Sequence, residues 1–420
     1  MKENLRVKKT DINILILTVF LTMLRSSIFW PLYPKTSTLF STGWIEILMW
    51  VFLIALIFRL TKNDGSLNAL KNYWRKETWL LLFLGFSFFS LFWSISFTDS
   101  LYRILILFFS SFAGAYIGLR YGVQGLINIL FWVGAVIMAL SFIFAFLFPE
   151  TAISYGHPYF GAWRGIYWNR NLLGAIIALM NIVFFFHILL DFPEKKKTLL
   201  NIIFYTSSLF LVYLAKSATG YILVILLNSL VIVITLWLSL RHRLKATHYY
   251  AFLVLTIIGI ITIFTNLDFL FGLLNRQPNL TGRVPMWKIL INDVISHSPW
   301  VGYGFGAIWT IESFRGGIQS AAGWPYPILI GDNGFIDILM HIGIIGLIFF
   351  LCFWVLVWIR SFRYAFEKLN LLDFFPLVFM FFTLMANISF SLFLEVESFI
   401  WMILVALIFA LSKYQLQTEY

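Results

Sequence analysis

Twelve windows of roughly 20 apolar residues punctuate this 420-residue chain, near 12–31, 43–60, 78–96, 99–119, 122–148, 170–190, 198–215, 219–240, 249–266, 335–359, 374–391 and 396–412. A helix of that length crosses a hydrocarbon core with every backbone N–H and C=O satisfied inside the segment. Composition agrees, at 61% hydrophobic and only 12% charged, whereas an ordinary soluble domain is about 25% charged. The expected fold is an all-α polytopic membrane protein, one integral domain over 1–420. The first apolar run follows a basic N-terminus but is too long for a secretory core and lacks a small-residue cleavage site, so it reads as an uncleaved span. The only cysteine, Cys352, sits within an apolar run; it excludes an intrachain disulfide or a CxxC pair and reads as a packing residue.

Orientation follows from the basic residues of the loops. With the N-terminus cytoplasmic, the inner segments hold 20 of the 30 Lys and Arg and 9 of the 19 Asp and Glu. The inner side then carries the whole formal charge of +11 and the outer side none. That balance is a topology signal and needs no nucleic acid to explain it. Two outer loops result, at 149–170 and 267–334, the larger lying between the ninth and tenth spans. Both termini are expected in the cytoplasm, with any chemistry at the outer face. No internal repeat is evident, which disfavours a transporter.

The larger loop contains LTGRVPMWKILINDVISHSPWVGYGFG at 280–306. Trp287, Leu290, Ile291, Val294 and Ile295 share one helical face, with Lys288, Asn292, Asp293 and His297 on or near the other, the pattern of an amphipathic helix on the membrane or over the bundle. Thr281 suits its cap, Pro285 its first turn, and the helix should end before Pro299. Gly302, Gly304 and Gly306 then alternate. Such a run either lets backbone amides approach an anion or makes a tight turn onto the next span.

The smaller loop reads GHPYFGAWRGIYWNRNLLG at 156–174. Its aromatic residues fit either sugar contacts or an interfacial belt. Arg164 and Arg170 lie where the charge asymmetry disfavours basic residues, as do Lys216 and Arg283. Arginine's planar fork suits phosphate. Taken singly each is as well explained by pairing with an outer acid; Arg164, Arg170 and Arg283 together favour an anionic ligand. Arg25 and Arg103, near the outer ends of their spans, are subsidiary candidates because snorkelling accounts for them. No DxD pair, P-loop, HExxH, CxxC or GxSxG element occurs, and the six histidines form no metal-spaced cluster. An outer-facing enzyme without them needs a pre-activated substrate, such as a sugar chain on a lipid diphosphate, with arginines stabilising the departing charge.

Four segments carry a resemblance to a known family: WRGIYWNRNLLG (163–174), KSATGYIL (216–223), LTGRVPMWKILINDVISHSPWVGYGFGAIW (280–309) and DNGFIDILMHIGIIGL (332–347). The chain resembles the bacterial O-antigen ligase and O-antigen/exopolysaccharide polymerase superfamily, and looks most like its exopolysaccharide and capsule polymerase branch. The motifs cover about a fifth of the chain, in the family's order. Ligases of the superfamily carry His-Asn, nine residues, then glycine; here Asn333 and Gly343 keep the spacing while Asp332 stands at the histidine position. That departure shifts the expectation toward a polymerase.

The resemblance implies a GT-C-like helical fold and a glycosyltransferase that uses neither metal nor cofactor. It would act on undecaprenyl-diphosphate-linked oligosaccharide at the outer face of the bacterial inner membrane, alongside a flippase and a chain-length regulator. On that footing Arg164, Arg170 and Arg283 would meet the diphosphate, helped by Lys216. Asp332 would be the base, with Asp337 and Glu312 as fallbacks. Asn171 and Asn333 would orient polar groups, Trp287 would pack the amphipathic helix, and Gly302, Gly304 and Gly306 would shape the turn. A ligase that transfers finished glycan to a final acceptor is the second expectation, and a polysaccharide transporter or flippase the third.

Overall fold

The computed structural model describes residues 39–63, 67–156, 159–191, 194–241, 283–322, 328–393 and 399–418. It is a helical bundle made of α1 (Leu39–Asn63), α2 (Leu67–Lys76), α3 (Thr78–Phe89), α4 (Phe97–Leu147), α5 (Arg170–Asp191), α6 (Lys195–Ala215), α7 (Ala218–Leu240), α8 (Arg283–His297), α9 (Glu312–Ala322), α10 (Gly334–Lys368), α11 (Phe375–Ser389) and α12 (Phe399–Thr418). A two-residue antiparallel ladder, β1 (Ile153–Ser154) with β2 (Ala162–Trp163), closes the loop before α5. Seven helical segments among the described residues are long and apolar enough to cross a membrane, and two shorter apolar helices accompany them. The protein is therefore a multi-pass membrane protein. The expected windows at 12–31 and 249–266 lie outside the described residues, as do Arg25 and Thr281.

The windows at 99–119 and 122–148 meet within α4. At 1.5 Å per residue its 51 residues extend about 76 Å, more than twice a hydrocarbon core of about 30 Å. The helix accommodates this by breaking at Gly122 (φ 64°, ψ −170°). Its first half packs closely on α12: a Cβ on Gly118 would stand 2.0 Å from the Ala406 carbonyl oxygen, and one on Gly114 2.6 Å from that of Met402. Small residues of this kind let helix backbones approach where lipid offers no hydrophobic drive to associate. Trp401 Nε1 donates to Ser111 Oγ across the same seam (2.8 Å).

Some polar groups inside the bundle are paired across helices. Asn181 of α5 is fully buried; its Nδ2 donates to Ser208 Oγ of α6 (2.8 Å) and its Oδ1 accepts from Asn228 Nδ2 of α7 (2.8 Å). Tyr205 OH donates to Asn228 Oδ1 (3.1 Å). Elsewhere Glu77, between α2 and α3, meets Arg360 of α10 at 2.7 Å, with side-chain exposures of 0% and 13%.

The second break is in α10, at Ile342 (φ −134°, ψ 17°) and Gly343 (φ 64°, ψ −168°). A break inside a helix strands carbonyls below it and amides above it. Residues 299–304 supply the missing partners: Tyr303 N donates to the Met340 carbonyl (3.0 Å) and Gly304 N to that of His341 (2.9 Å). In return the Pro299 carbonyl accepts from Ile344 N (2.8 Å) and that of Trp300 from Ile345 N (3.2 Å). The fit needs two left-handed glycines, since a Cβ on Gly343 would lie 2.4 Å from the Trp300 carbonyl and one on Gly302 2.7 Å from Gly343 N. The expected tenth span at 335–359 is thus split. A short segment, 334–341, precedes the break, and the long apolar stretch follows it.

Two stability predictions follow from these joints. Gly302→Ala should destabilise the detergent-solubilised protein by about 2 kcal/mol or more. Gly316→Ala, within α9 with nothing inside 4 Å, should be neutral or stabilise by up to about 1 kcal/mol; thermal unfolding of the pair reads the difference. Arg360→Met leaves the Glu77 carboxylate buried and alone, at a cost of about 3–5 kcal/mol. Adding Glu77→Gln should recover most of that loss in the same thermal assay.

Candidate functional site

The amphipathic helix of the large loop is α8, and it ends at His297, ahead of Pro299 as expected. Its buried stripe is Met286, Leu290 and Val294, spaced by four, while Ile295 is 53% exposed. The face is rotated from the one read in the sequence. The reason is a second hydrophobic cluster, separate from the main core, in which those three residues pack on Ile308, Trp309, Ile318, Ile328 and Met340. The rotation turns Arg283 and Trp287, one helical turn apart, toward the segment that enters α10.

There Arg283 Nε donates to Asp332 Oδ2 at 2.8 Å, an ion pair with side-chain exposures of 12% and 17%. Among the described residues the Nη groups of Arg283 and Oδ1 of Asp332 have no other partner. Asp332 occupies a left-handed conformation, φ 50°, which costs a non-glycine residue about 1–2 kcal/mol. Asn333 follows as the N-cap of α10, its Oδ1 accepting from Phe335 N (3.0 Å) and Ile336 N (3.2 Å). Asn333 thus fixes the start of the helix. Trp287 does more than pack, because its Nε1 donates to the Gly331 carbonyl (2.8 Å).

A second group gathers where α5 begins and α6 turns into α7. Arg170 opens α5, is 7% exposed, stacks over the Tyr159 ring at 3.7 Å and donates to the Lys216 carbonyl. Lys216 caps α6 in a left-handed conformation, φ 50°, and its Nζ donates to the Phe160 carbonyl (3.1 Å). Asn171 Oδ1 accepts from Ser217 Oγ (3.0 Å). Arg164 is tied to the turn before the ladder, with its Nε donating to the Thr151 carbonyl (2.5 Å). Half-burial lowers the Arg164 pKa by desolvation, though a guanidinium stays charged at any physiological pH.

The three arginines therefore fall into two groups, and residues 387–393 connect them. Ser389 Oγ lies 3.1 Å from Thr219 Oγ1, and Phe390 stacks near Trp168 at 6.4 Å, both on the Arg170 side. Asn387 reaches the other side: its Oδ1 accepts from Leu392 N (2.8 Å) and Phe393 N (2.9 Å) and would stand 2.2 Å from a Cβ on Gly334. The sequence reading did not single out Asn387, Ser389 or Thr219. Their only signal was polarity at the ends of apolar windows.

The glycine run is not an open anion cradle. The amides of Gly302, Tyr303, Gly304 and Phe305 donate to Ser298 O, Met340 O, His341 O and Ser90 Oγ. Of the two readings of the run, this geometry supports the turn. Gly306 packs on Arg103, where a Cβ would lie 2.0 Å from the arginine Cδ. Arg103 therefore borders the run. Glu312 begins α9 and is exposed.

Comparison with known proteins gives one match. No curated protein matches the sequence. Residues 200–351 match the family model described as O-Antigen ligase, a stretch that includes Lys216, Arg283, Asp332 and Asn333 and stops short of Arg164 and Arg170. Over that stretch, 152 of the 420 residues, the chain is similar to the O-antigen ligase family, which supports the expected kinship with the O-antigen ligase and polymerase superfamily.

Proposed function

We propose that the protein is a polysaccharide polymerase that moves a growing glycan from undecaprenyl diphosphate onto a lipid-linked repeat unit. The observation that carries this reading is the Arg283–Asp332 pair, held at 2.8 Å with little exposure at the start of a broken helix. It sets a carboxylate acceptor and a guanidinium side by side, each with hydrogen-bonding groups that no described residue occupies. The acceptor hydroxyl attacks the anomeric carbon and gives its proton to Asp332 as the new C–O bond forms. The bond from that carbon to the phosphate oxygen breaks, and the diphosphate leaves with the electron pair. Arg283, with Arg170, Lys216 and Arg164 from the neighbouring group, offsets the charge on the leaving group.

The charge asymmetry of the loops supports placing this site at the outer face of the bacterial inner membrane, with cytoplasmic termini. On this reading the cationic side chains supply the charge compensation that a metal gives in other transferases, so the reaction needs none. A flippase and a chain-length regulator would work with it. A ligase is the second reading, favoured by the description of the matching family model; Asp332 at the ligases' histidine position argues for the polymerase.

Arg283→Ala should cut polymer synthesis by about 100- to 1,000-fold without loss of inserted protein. Normal polymer from that variant removes Arg283 from the site. Asp332→Asn should cost about 100-fold or more through loss of the base, measured as turnover of lipid-linked repeats by the purified protein. The glycan profile of a strain lacking the protein separates the readings. Accumulated single repeats without long chains mean polymerase. Long chains left on the lipid carrier mean ligase, and an unchanged surface glycan discards both.

A further inference from the structure

We infer that Asp337 and Trp287 are positioning residues, which grip Gly331, the residue before Asp332, at its N–H and its C=O and hold the Asp332 carboxylate against Arg283. The inference rests on the reading of Asp332 as the base. It also reassigns Asp337, which the sequence alone leaves as a fallback for that role.

The left-handed region admits aspartate more readily than most side chains but still favours glycine, so contacts around it help to hold it there. At Asp332 (φ 50°) those contacts can be named. Upstream, Gly331 N donates to Asp337 Oδ1 (3.0 Å) while the Gly331 carbonyl accepts from Trp287 Nε1 (2.8 Å). Downstream, Asn333 caps α10 and its carbonyl accepts from Asp337 N (3.0 Å). Asp337 therefore bonds to the backbone on both sides of Asp332, with its side chain to 331 and its amide to 333. Space is tight as well. A Cβ on Gly331 would lie 2.6 Å from Asp337 Oδ1, so any larger residue there pushes the carboxylate off its amide.

The register of α8 completes the grip. Arg283 and Trp287 are one turn apart on the same face, and they meet consecutive residues, Trp287 at 331 and Arg283 at 332. The base and its cation are thereby set by one helix turn. Asp337 itself is 4% exposed, and its Oδ1 already accepts from the Gly331 amide. A buried carboxylate in that position holds geometry; the partly exposed one at 332 can meet a substrate.

The test uses the full-length protein in detergent with two independent measurements. Amide hydrogen exchange of a peptide covering 329–336 reads the grip without any substrate. Turnover of undecaprenyl-diphosphate-linked repeat units, extracted from a strain lacking the protein, reads its consequence. Asp337→Ala should raise exchange in that peptide and lower kcat by about 100-fold with KM little changed, as expected for about 1 Å of misplacement. Asp337→Asn keeps an Oδ1 acceptor and should restore native exchange and turnover to within about threefold, an outcome no general base survives. Trp287→Phe, which loses only the indole N–H as a donor, should fall between the two and covers the case in which Asp337→Ala does not fold.

Unchanged exchange in both Asp337→Ala and Trp287→Phe overturns the inference. So does an Asp337→Asn protein with native exchange that is as inactive as Asp337→Ala, because Asp337 would then act chemically. If the exchange results hold but Asp332→Asn retains full turnover, the grip stands and the assignment of the base falls.

Discussion

The interruption of α10 at Gly343 is the constraint around which the rest of the site is arranged. An unbroken helix would satisfy its own backbone and offer nothing to a neighbouring loop. Broken, it presents stranded carbonyls at Met340 and His341 and stranded amides at Ile344 and Ile345, and residues 299–304 pair with all four. Because an unpaired backbone group in an apolar setting costs several kcal/mol, that loop has one stable seat. The loop leads directly out of α8, so seating it also sets where α8 lies.

From that anchor the geometry runs upward. The first segment of α10 and α8 are joined below by the 299–304 insertion and above by contacts at Gly331 and Asp332. Between these ends the Met286, Leu290 and Val294 stripe packs on Met340 and its neighbours. The Arg283–Asp332 pair thus sits at the starts of two helices rather than on a free loop. The second basic group is built by the same means. Arg170 starts one helix, Lys216 ends another, and residues 387–393 connect them to the α10 entrance.

Particular residues show how much of this was legible beforehand. The apolar windows mark the described helices well, and the boundary near 120 falls on the break at Gly122. Lys288, Asn292 and His297 are exposed as their polarity suggests. The buried face of α8 differs from the one its polarity suggests because Met286 and Ile295 are both apolar, and only the second hydrophobic cluster selects between them. The Gly302–Gly306 run announced a special backbone but not its partner, which lies some 40 residues on, in α10. Asn387 and Ser389 carried no distinguishing local pattern: Asn387 bonds within its own turn, to Leu392 and Phe393, close against Gly334 of α10, and the partner of Ser389 lies on α7.

By itself the sequence determined the membrane class and the helical content, because a run of apolar residues long enough to span lipid has a single way to satisfy its backbone. It also marked Arg164, Arg170, Arg283 and Asp332 as candidates. Only the tertiary structure decided that Arg283 belongs with Asp332 and Arg170 with Lys216, or that Asp337 faces a backbone amide. Those pairings cross 49, 46 and 6 residues, and the longer two are set by where the α10 break seats its loop and how α5 and α7 pack. Local propensity carries no information about either.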